Sequence, residues 1–325
     1  MSEGSGKRRL RRRVRDAVMG RGYIRGIEAI SAIGKRAPMF DPRRHGVRVV
    51  RDLAYIDDGD PAHHLDVWTP INRVGRLPVV IYVHGGAFHY LSKDTHWLMP
   101  LYWARRGFVV FNVNYRLAPK HPFPAALEDV ARATSWAVRH AREFGGDETR
   151  LGFAGESAGG NLVTSLTLAC CFDREEPYAR ELQALGVRPR AVLPACAVLQ
   201  VSDQARLYGG RNWPSWVVGQ LKEIEDGYLA PSRADEKERE LADPLLVLEG
   251  DVAPVHALPP FFTIAGTRDP VLPDSERLHA ALEARGVDSE LRVYPGEIHA
   301  FHAMIHRIAS RDAWRGQIAF TQRHL

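Results

Sequence analysis

LGFAGESAGGNL, residues 151–162, sets a short apolar run, a glycine-flanked serine and the start of a second apolar stretch end to end. Residues 151–154 have the length and composition of a buried strand, and residues 158–172 read as a helix. Between them, Gly155-Glu156-Ser157-Ala158-Gly159 leaves no room for a loop, so the chain must turn within a strained corner. Glycine at both flanks fits such a corner, because a Cβ at either place would collide with neighbouring backbone. The turn brings Ser157 to a helix N-terminus, where the dipole and unpaired N–H groups favour developing negative charge. Strand, sharp turn and helix in this order imply an α/β protein, with Ser157 as a candidate nucleophile.

Outward from this corner, strands and helices alternate. Residues 47–56 and 63–68 read as an antiparallel pair. Residues 77–83 (LPVVIYV) and 107–113 (GFVVFNV) are continuous apolar runs, the mark of strands covered on both faces. Residues 94–106 can be helical. Residues 125–143 carry Ala126, Val130, Ala133, Ala137 and Val138 at helical spacing and stop at Gly145-Gly146. Residues 191–199, 261–265 and 291–294 supply three more strands, and Gly286 terminates a helix over 274–285. The fold class expected is α/β, with a mostly parallel central sheet flanked by helices. Residues 200–245 break the alternation, with Tyr208, Trp213, Trp216 and Tyr228 set among charges, glycine and proline. They read as an insertion over the sheet edge from which catalytic loops emerge. Trp213 and Trp216 are candidate substrate-pocket walls, with plain packing the competing explanation.

A serine nucleophile needs amides for its oxyanion, a base, and a group to orient that base. His84-Gly85-Gly86-Ala87-Phe88 follows the apolar run 77–83, and its small residues let backbone N–H groups point into a cleft. Gly85, Gly86 and Ala87, with Ala158 after the serine, are therefore the candidate oxyanion hole. Phe88 is a candidate pocket residue, and His84 a brace for the loop. The base should be a histidine, which alone exchanges a proton near neutral pH without large tuning. His299, just after the last strand and before the final helix, is best placed; His302 and His306 compete. Asp269, a short turn after strand 261–265, is the candidate orienting carboxylate, with Asp274 and Asp251 as rivals. No metal or other cofactor is expected.

The 325 residues suffice for one sizeable core, and 45 % hydrophobic with 26 % charged content is ordinary for a soluble protein. The net charge of +5 is uneven: residues 1–50 hold 14 Lys and Arg against 4 Asp and Glu. Most of it lies in KRRLRRRVR, from Lys7 to Arg15. A solvated tail explains such a run, and so does contact with an anionic membrane surface; nucleic acid is not the expected partner. Behind it, Tyr23, Ile24, Ile27, Ile30 and Ile33 recur at helical spacing, so residues 14–34 can form an amphipathic helix. Gly20, Gly22 and Gly26 each cost it about 1 kcal/mol, so tertiary support is expected. No apolar run is long enough for a membrane span, and no apolar signal core follows the arginines. Cytoplasmic residence, with peripheral membrane contact as an option, is the resulting expectation. Cys170, Cys171 and Cys196 suit a reducing compartment and buried packing.

Together these segments resemble the hormone-sensitive-lipase-like branch of α/β-hydrolases, the bacterial family IV esterases. The resemblance rests on His84–Phe88, on Tyr115-Arg116-Leu117-Ala118-Pro119 with Pro122-Phe123-Pro124-Ala125-Ala126, and on Gly155 to Leu162. Asp269-Pro270-Val271 and His299-Ala300-Phe301 complete it, and in order it covers about residues 77–301. It implies an α/β-hydrolase fold, residues 46–199 and 246–325 forming the catalytic domain. The helical cap it implies comes from residues 1–45, in part, and from the insertion 200–245. It also implies hydrolysis of short- to medium-chain carboxylic esters through an acyl-enzyme, without a cofactor. Three positions depart from the usual pattern: Ala87 stands where glycine is usual, Glu156 where aspartate is commoner, and Ala300 follows His299 in place of glycine. Amide or formamide hydrolysis, as in an arylformamidase or a deacetylase, and acyl transfer use the same machinery and are the alternatives. A non-catalytic hydrolase-fold binding protein lies behind them. The partner expected is a small ester; a homodimer is compatible with the sequence.

Overall fold

The two apolar runs lie side by side as parallel strands, β3 (Leu77–Val83) and β4 (Val109–Val113), Val79 facing Val109 and Val83 facing Val113. In this computed structural model, residues 20, 22, 24–209, 212–230 and 236–325 are described; the run from Lys7 to Arg15 lies outside them. β1 (Val47–Ala54) and β2 (His64–Pro70) form the expected antiparallel pair, and β2 runs antiparallel to β4. Thereafter β3, β5 (Gly146–Glu156), β6 (Ala191–Ala195), β7 (Phe261–Arg268) and β8 (Ser289–Ile298) pair in parallel. The eight-stranded order is β1-β2-β4-β3-β5-β6-β7-β8. The chain therefore winds outward in one direction from β3 to β4 and in the other from β5 onward. Loops at the carboxyl ends of β3 and β5 face each other across this switch, the place where open α/β sheets bind ligands.

All five residues of β4 are buried, as are the last five of β3, which accounts for their unbroken apolar composition. Helix α1 (residues 24–36) precedes β1, α2 (Leu98–Ala104) lies between β3 and β4, and α3 (Ala125–His140) follows β4. Every residue of α4 (Ala158–Cys171) is buried. Burial of Leu162, Leu166 and Leu168 contributes about 2 kcal/mol each, so the helix that opens at Ser157 is anchored along its length. A helix the sequence reading leaves unassigned, α5 (Pro177–Ala184), has proline at its start, where the missing N–H costs nothing. β5 and β8 extend well beyond the short strands read at 151–154 and 291–294, because pairing carries their polar ends into the sheet.

Between β6 and β7 lie α6 (Ala205–Tyr208), α7 (Ser215–Tyr228), α8 (Glu236–Arg239) and α9 (Pro244–Glu249). α10 (Leu272–Ala284) follows β7 and α11 (Ile308–His324) closes the chain. The stretch over 14–34 is helical where described, but its apolar stripe does not turn wholly inward. Ile24 is buried while Ile30 and Ile33 are 74 % and 71 % exposed. Support for α1 comes instead from polar and small residues: Ser31 Oγ donates to the Thr95 carbonyl at 2.9 Å, and Gly34 lies against the Trp97 ring. Among the described residues, no helix is long and apolar enough to cross a membrane.

Candidate active site

Ser157 sits at φ 53°, ψ −119°, a strained positive-φ conformation that costs a non-glycine residue about 1–3 kcal/mol. The corner is held from three sides. Ser157 N–H donates to the Ala195 carbonyl at 2.9 Å. Asn161 Nδ2 donates to the carbonyls of Val198 and Ala242, at 2.8 and 3.0 Å. A Cβ on Gly155 would lie 2.4 Å from the Gly159 carbonyl oxygen, and one on Gly159 only 2.1 Å from that of Val83. Both flanking positions thus require glycine, and the reason is the close approach of the turn to the end of β3.

Facing the serine, residues 84–91 carry the candidate amides. A Cβ on Gly85 would lie 3.3 Å from that of Ser157, so this loop lies directly on the nucleophile. Gly86, Ala87 and Phe88 all have positive φ, at 122°, 56° and 60°. This curls the backbone so that Gly86 O accepts from both His89 and Tyr90 N–H, each at 2.9 Å. Among the described residues, the N–H groups of Gly86, Ala87 and Ala158 donate to no backbone acceptor outside regular elements, and Ala158 opens α4, where no earlier helical carbonyl exists. His84 has its Nδ1 2.7 Å from the Gly85 carbonyl and stacks on Tyr115, whose hydroxyl donates to the His84 carbonyl at 3.0 Å. Burial pushes the His84 imidazole down to about 3, so it stays neutral as a brace.

Asp269 and His299, 30 residues apart, meet at the carboxyl ends of β7 and β8. His299 Nδ1 donates to the carboxylate, 2.9 Å from Oδ1 and 3.0 Å from Oδ2. Val271 N–H donates to Oδ1 at 2.9 Å and fixes the carboxylate's orientation. Asp269 is 1 % exposed. Burial alone would lower the His299 imidazole, but the charge and hydrogen bond of Asp269, with a contribution from Glu156, raise it above the ordinary value.

The rivals have other occupations. Asp274 is fully buried and accepts from Leu199 N–H and Arg206 while anchoring α10. Asp251 is exposed in a bend. His302 is buried against Glu156, and His306 is exposed. Phe88 is 0 % exposed and stacks on Tyr228 of α7 with ring centroids 3.7 Å apart. It therefore latches the insertion to the amide loop. Trp213 and Trp216 are half-buried, and Trp213 Nε1 donates to the Leu207 carbonyl at 3.1 Å.

Two features were invisible in the sequence. Cys196 follows β6 and, with Asp269 and His299, places its ligand atom within 4.8 Å of theirs. Asp269 and His299 already satisfy one another, and burial holds the Cys196 thiol well above the ordinary range. The second is a buried contact of Glu156 with His96 and His302. No local pattern announces it, since 60 residues separate His96 from Glu156.

A strained serine at a helix start, a curled loop of small residues opposite it, and a carboxylate-bound imidazole at the same sheet end form the parts list of nucleophilic acyl chemistry. The family described as alpha/beta hydrolase fold matches residues 80–303. The chain is 30 % identical to Esterase LipI of Mycobacterium tuberculosis over 86 % of its own length and 81 % of that protein's. It is also 30 % identical to an acetyl esterase of Salmonella schwarzengrund, matching 69 % of this chain and 65 % of that one. A hyperthermophilic esterase from Pyrobaculum calidifontis superposes with a TM-score of 0.72 at 25 % identity, over 94 % of this chain and 91 % of that structure. The chain belongs to the α/β-hydrolase fold family, in its hormone-sensitive-lipase-like branch.

Proposed function

We propose that this protein is a carboxylic-ester hydrolase whose Ser157, His299 and Asp269 act as one proton-handling line. The observation that carries the reading is the Asp269–His299 pair, positioned at the sheet end that also holds the strained Ser157. Ser157 Oγ attacks the ester carbonyl as His299 Nε2 takes its proton, and Asp269 keeps the Nδ1–H tautomer and stabilises the imidazolium. The amides of Gly86, Ala87 and Ala158, with Gly85 shaping the loop, hold the oxyanion; one such donor is worth about 3–4 kcal/mol in the transition state. His299 then protonates the leaving alcohol and activates water, which releases the acid from the acyl-enzyme.

The insertion 200–245, together with α1, forms the cap over this site, which favours small esters of short to medium acyl chain. Butyrate and decanoate p-nitrophenyl esters, compared with N-formylkynurenine, test the substrate class. Faster turnover of the formamide than of either ester would replace the reading with amide hydrolysis.

A second reading concerns where the enzyme works. Ile30, Ile33 and Met39 are 74 %, 71 % and 66 % exposed beside the exposed Arg25 and Arg36. Such a face, following the basic run from Lys7 to Arg15, suits an anionic membrane surface at about 1 kcal/mol per basic residue at low salt. Flotation with acidic liposomes should recover the full chain and lose a variant lacking residues 1–20; equal recovery removes the reading.

A further inference from the structure

Glu156 is a buried carboxylate with no part in the acyl chemistry, yet it adjoins the nucleophile in sequence and is only 6 % exposed. Burying a carboxylate is costly unless partners compensate it. Two imidazoles lie against its two oxygens. His96 Nε2 donates to Oε1 at 2.8 Å, and His302 Nε2 lies 2.6 Å from Oε2. The two come from separate parts of the fold. His96 belongs to the loop between the amide loop and α2, and its Nδ1 lies 3.1 Å from the Ser92 carbonyl. That loop is pinned by Lys93, 2 % exposed, with Nζ 2.7 Å from Asp52 and 2.8 Å from Asp66. His302 stands three residues after His299, and its carbonyl accepts from Ser310 Oγ and Trp314 Nε1 of α11, at 2.7 and 2.9 Å.

The amide loop is joined to the same point. A Cβ on Gly85 would lie 3.1 Å from Glu156 Cγ, and the His96 ring packs 5.5 Å from that of His84. One side chain therefore touches all three segments that must keep register: nucleophile turn, oxyanion loop and histidine loop. We propose that Glu156 is a positioning residue: held between His96 and His302, it locks these three segments together. Its negative charge also contributes to raising the His299 imidazole. This rests on the Ser157–His299–Asp269 reading and adds to it a fourth residue acting through the other three.

Several titratable groups face Glu156. His84 and Tyr82 come from β3 and the loop after it, and Tyr115 from the segment after β4. Cys196 follows β6, and His96, His302 and His299 come from the two flanking loops. Burial holds Tyr82, Tyr115 and Cys196 protonated and His84 neutral, so near neutrality the fixed charge of Glu156 acts on imidazoles.

Two variants separate the geometry from the charge. Glu156→Gln keeps shape and removes the charge; Glu156→Asp keeps the charge and shortens the reach. With p-nitrophenyl butyrate and the full chain, Glu156→Gln should move the acid limb of kcat/KM to lower pH. Glu156→Asp should keep the wild-type limb. Both should lose about ten- to a hundredfold in kcat with little change in KM. A Glu156→Gln enzyme with the wild-type limb and kcat within twofold overturns the proposal. Should that variant not fold, Glu156→Asp decides, and wild-type kcat in it is equally contrary. Ser157→Ala is the control: if it retains turnover, the underlying reading falls, whereas a dead Ser157→Ala beside an unaffected Glu156→Gln removes only this inference.

Discussion

Both carboxylate oxygens of Asp269 lie within 3.0 Å of His299 Nδ1, while Val271 N–H donates to one of them at 2.9 Å. A symmetrical grip of this kind settles which imidazole nitrogen keeps its proton and leaves Nε2 as the face that can act as a base.

The pH dependence follows from the sign of that interaction. Asp269 raises the His299 imidazole above its ordinary value, and only the neutral ring can accept the serine proton. Esterase activity should therefore fall with decreasing pH through a value above about 6.5. In Asp269→Asn the acid limb moves to lower pH and kcat drops by about 10³- to 10⁴-fold. A pH–rate profile of kcat/KM on both proteins checks this, and an unmoved limb refutes the pairing's role.

The turn glycines offer a stability contrast. Gly159→Ala forces a Cβ to 2.1 Å from the Val83 carbonyl oxygen, whereas Gly219 in α7 has open space around it. Urea unfolding should show a loss of about 3 kcal/mol or more for Gly159→Ala. Gly219→Ala should gain up to about 1 kcal/mol from helix propensity. Comparable midpoints for the two variants would contradict the close-approach account.

Ala87 holds φ 56° where glycine would rest without strain. Replacing it by glycine should leave stability within about 1 kcal/mol, relief of strain offsetting the added chain entropy. The methyl also stands beside the candidate oxyanion amides. The ratio of kcat/KM for decanoate over acetate p-nitrophenyl esters should rise in Ala87→Gly, and a falling ratio would show that the methyl does not narrow the site.

Phe88 joins the amide loop to the insertion between β6 and β7 by its stack on Tyr228. Phe88→Ala should cost about 3–5 kcal/mol, as for other fully buried aromatics. A loss below 1 kcal/mol in urea unfolding, with altered acyl preference, would make Phe88 a substrate-pocket residue and contradict the latch.

The sheet was legible because its central strands are buried on both faces and so read as apolar runs, and because Gly155 and Gly159 mark a turn no other residue tolerates. The relation of Asp269 to His299 followed from chain order and strand ends. The extent of β5 and β8 was not legible, since their outer residues, such as Asp147 and Glu290, are polar and become strand only through pairing. The stack of Phe88 on Tyr228 was not legible, because Tyr228 lies far along the chain in the insertion. Ile30 and Ile33 follow helical periodicity as a buried stripe would, yet α1 docks through Ser31, Gly34 and Lys35. His96 and His302 could not be paired with Glu156 from sequence, because tertiary contact alone relates them.

The central claim is that Ser157 becomes covalently acylated, and mass spectrometry of the protein treated with an organophosphonate ester tests it most directly. One adduct per chain, mapped to the peptide containing Ser157 and absent in Ser157→Ala, is the predicted result, with hydrolysis of p-nitrophenyl butyrate lost in step. An adduct on a different residue, or full esterase activity in Ser157→Ala, would contradict the account.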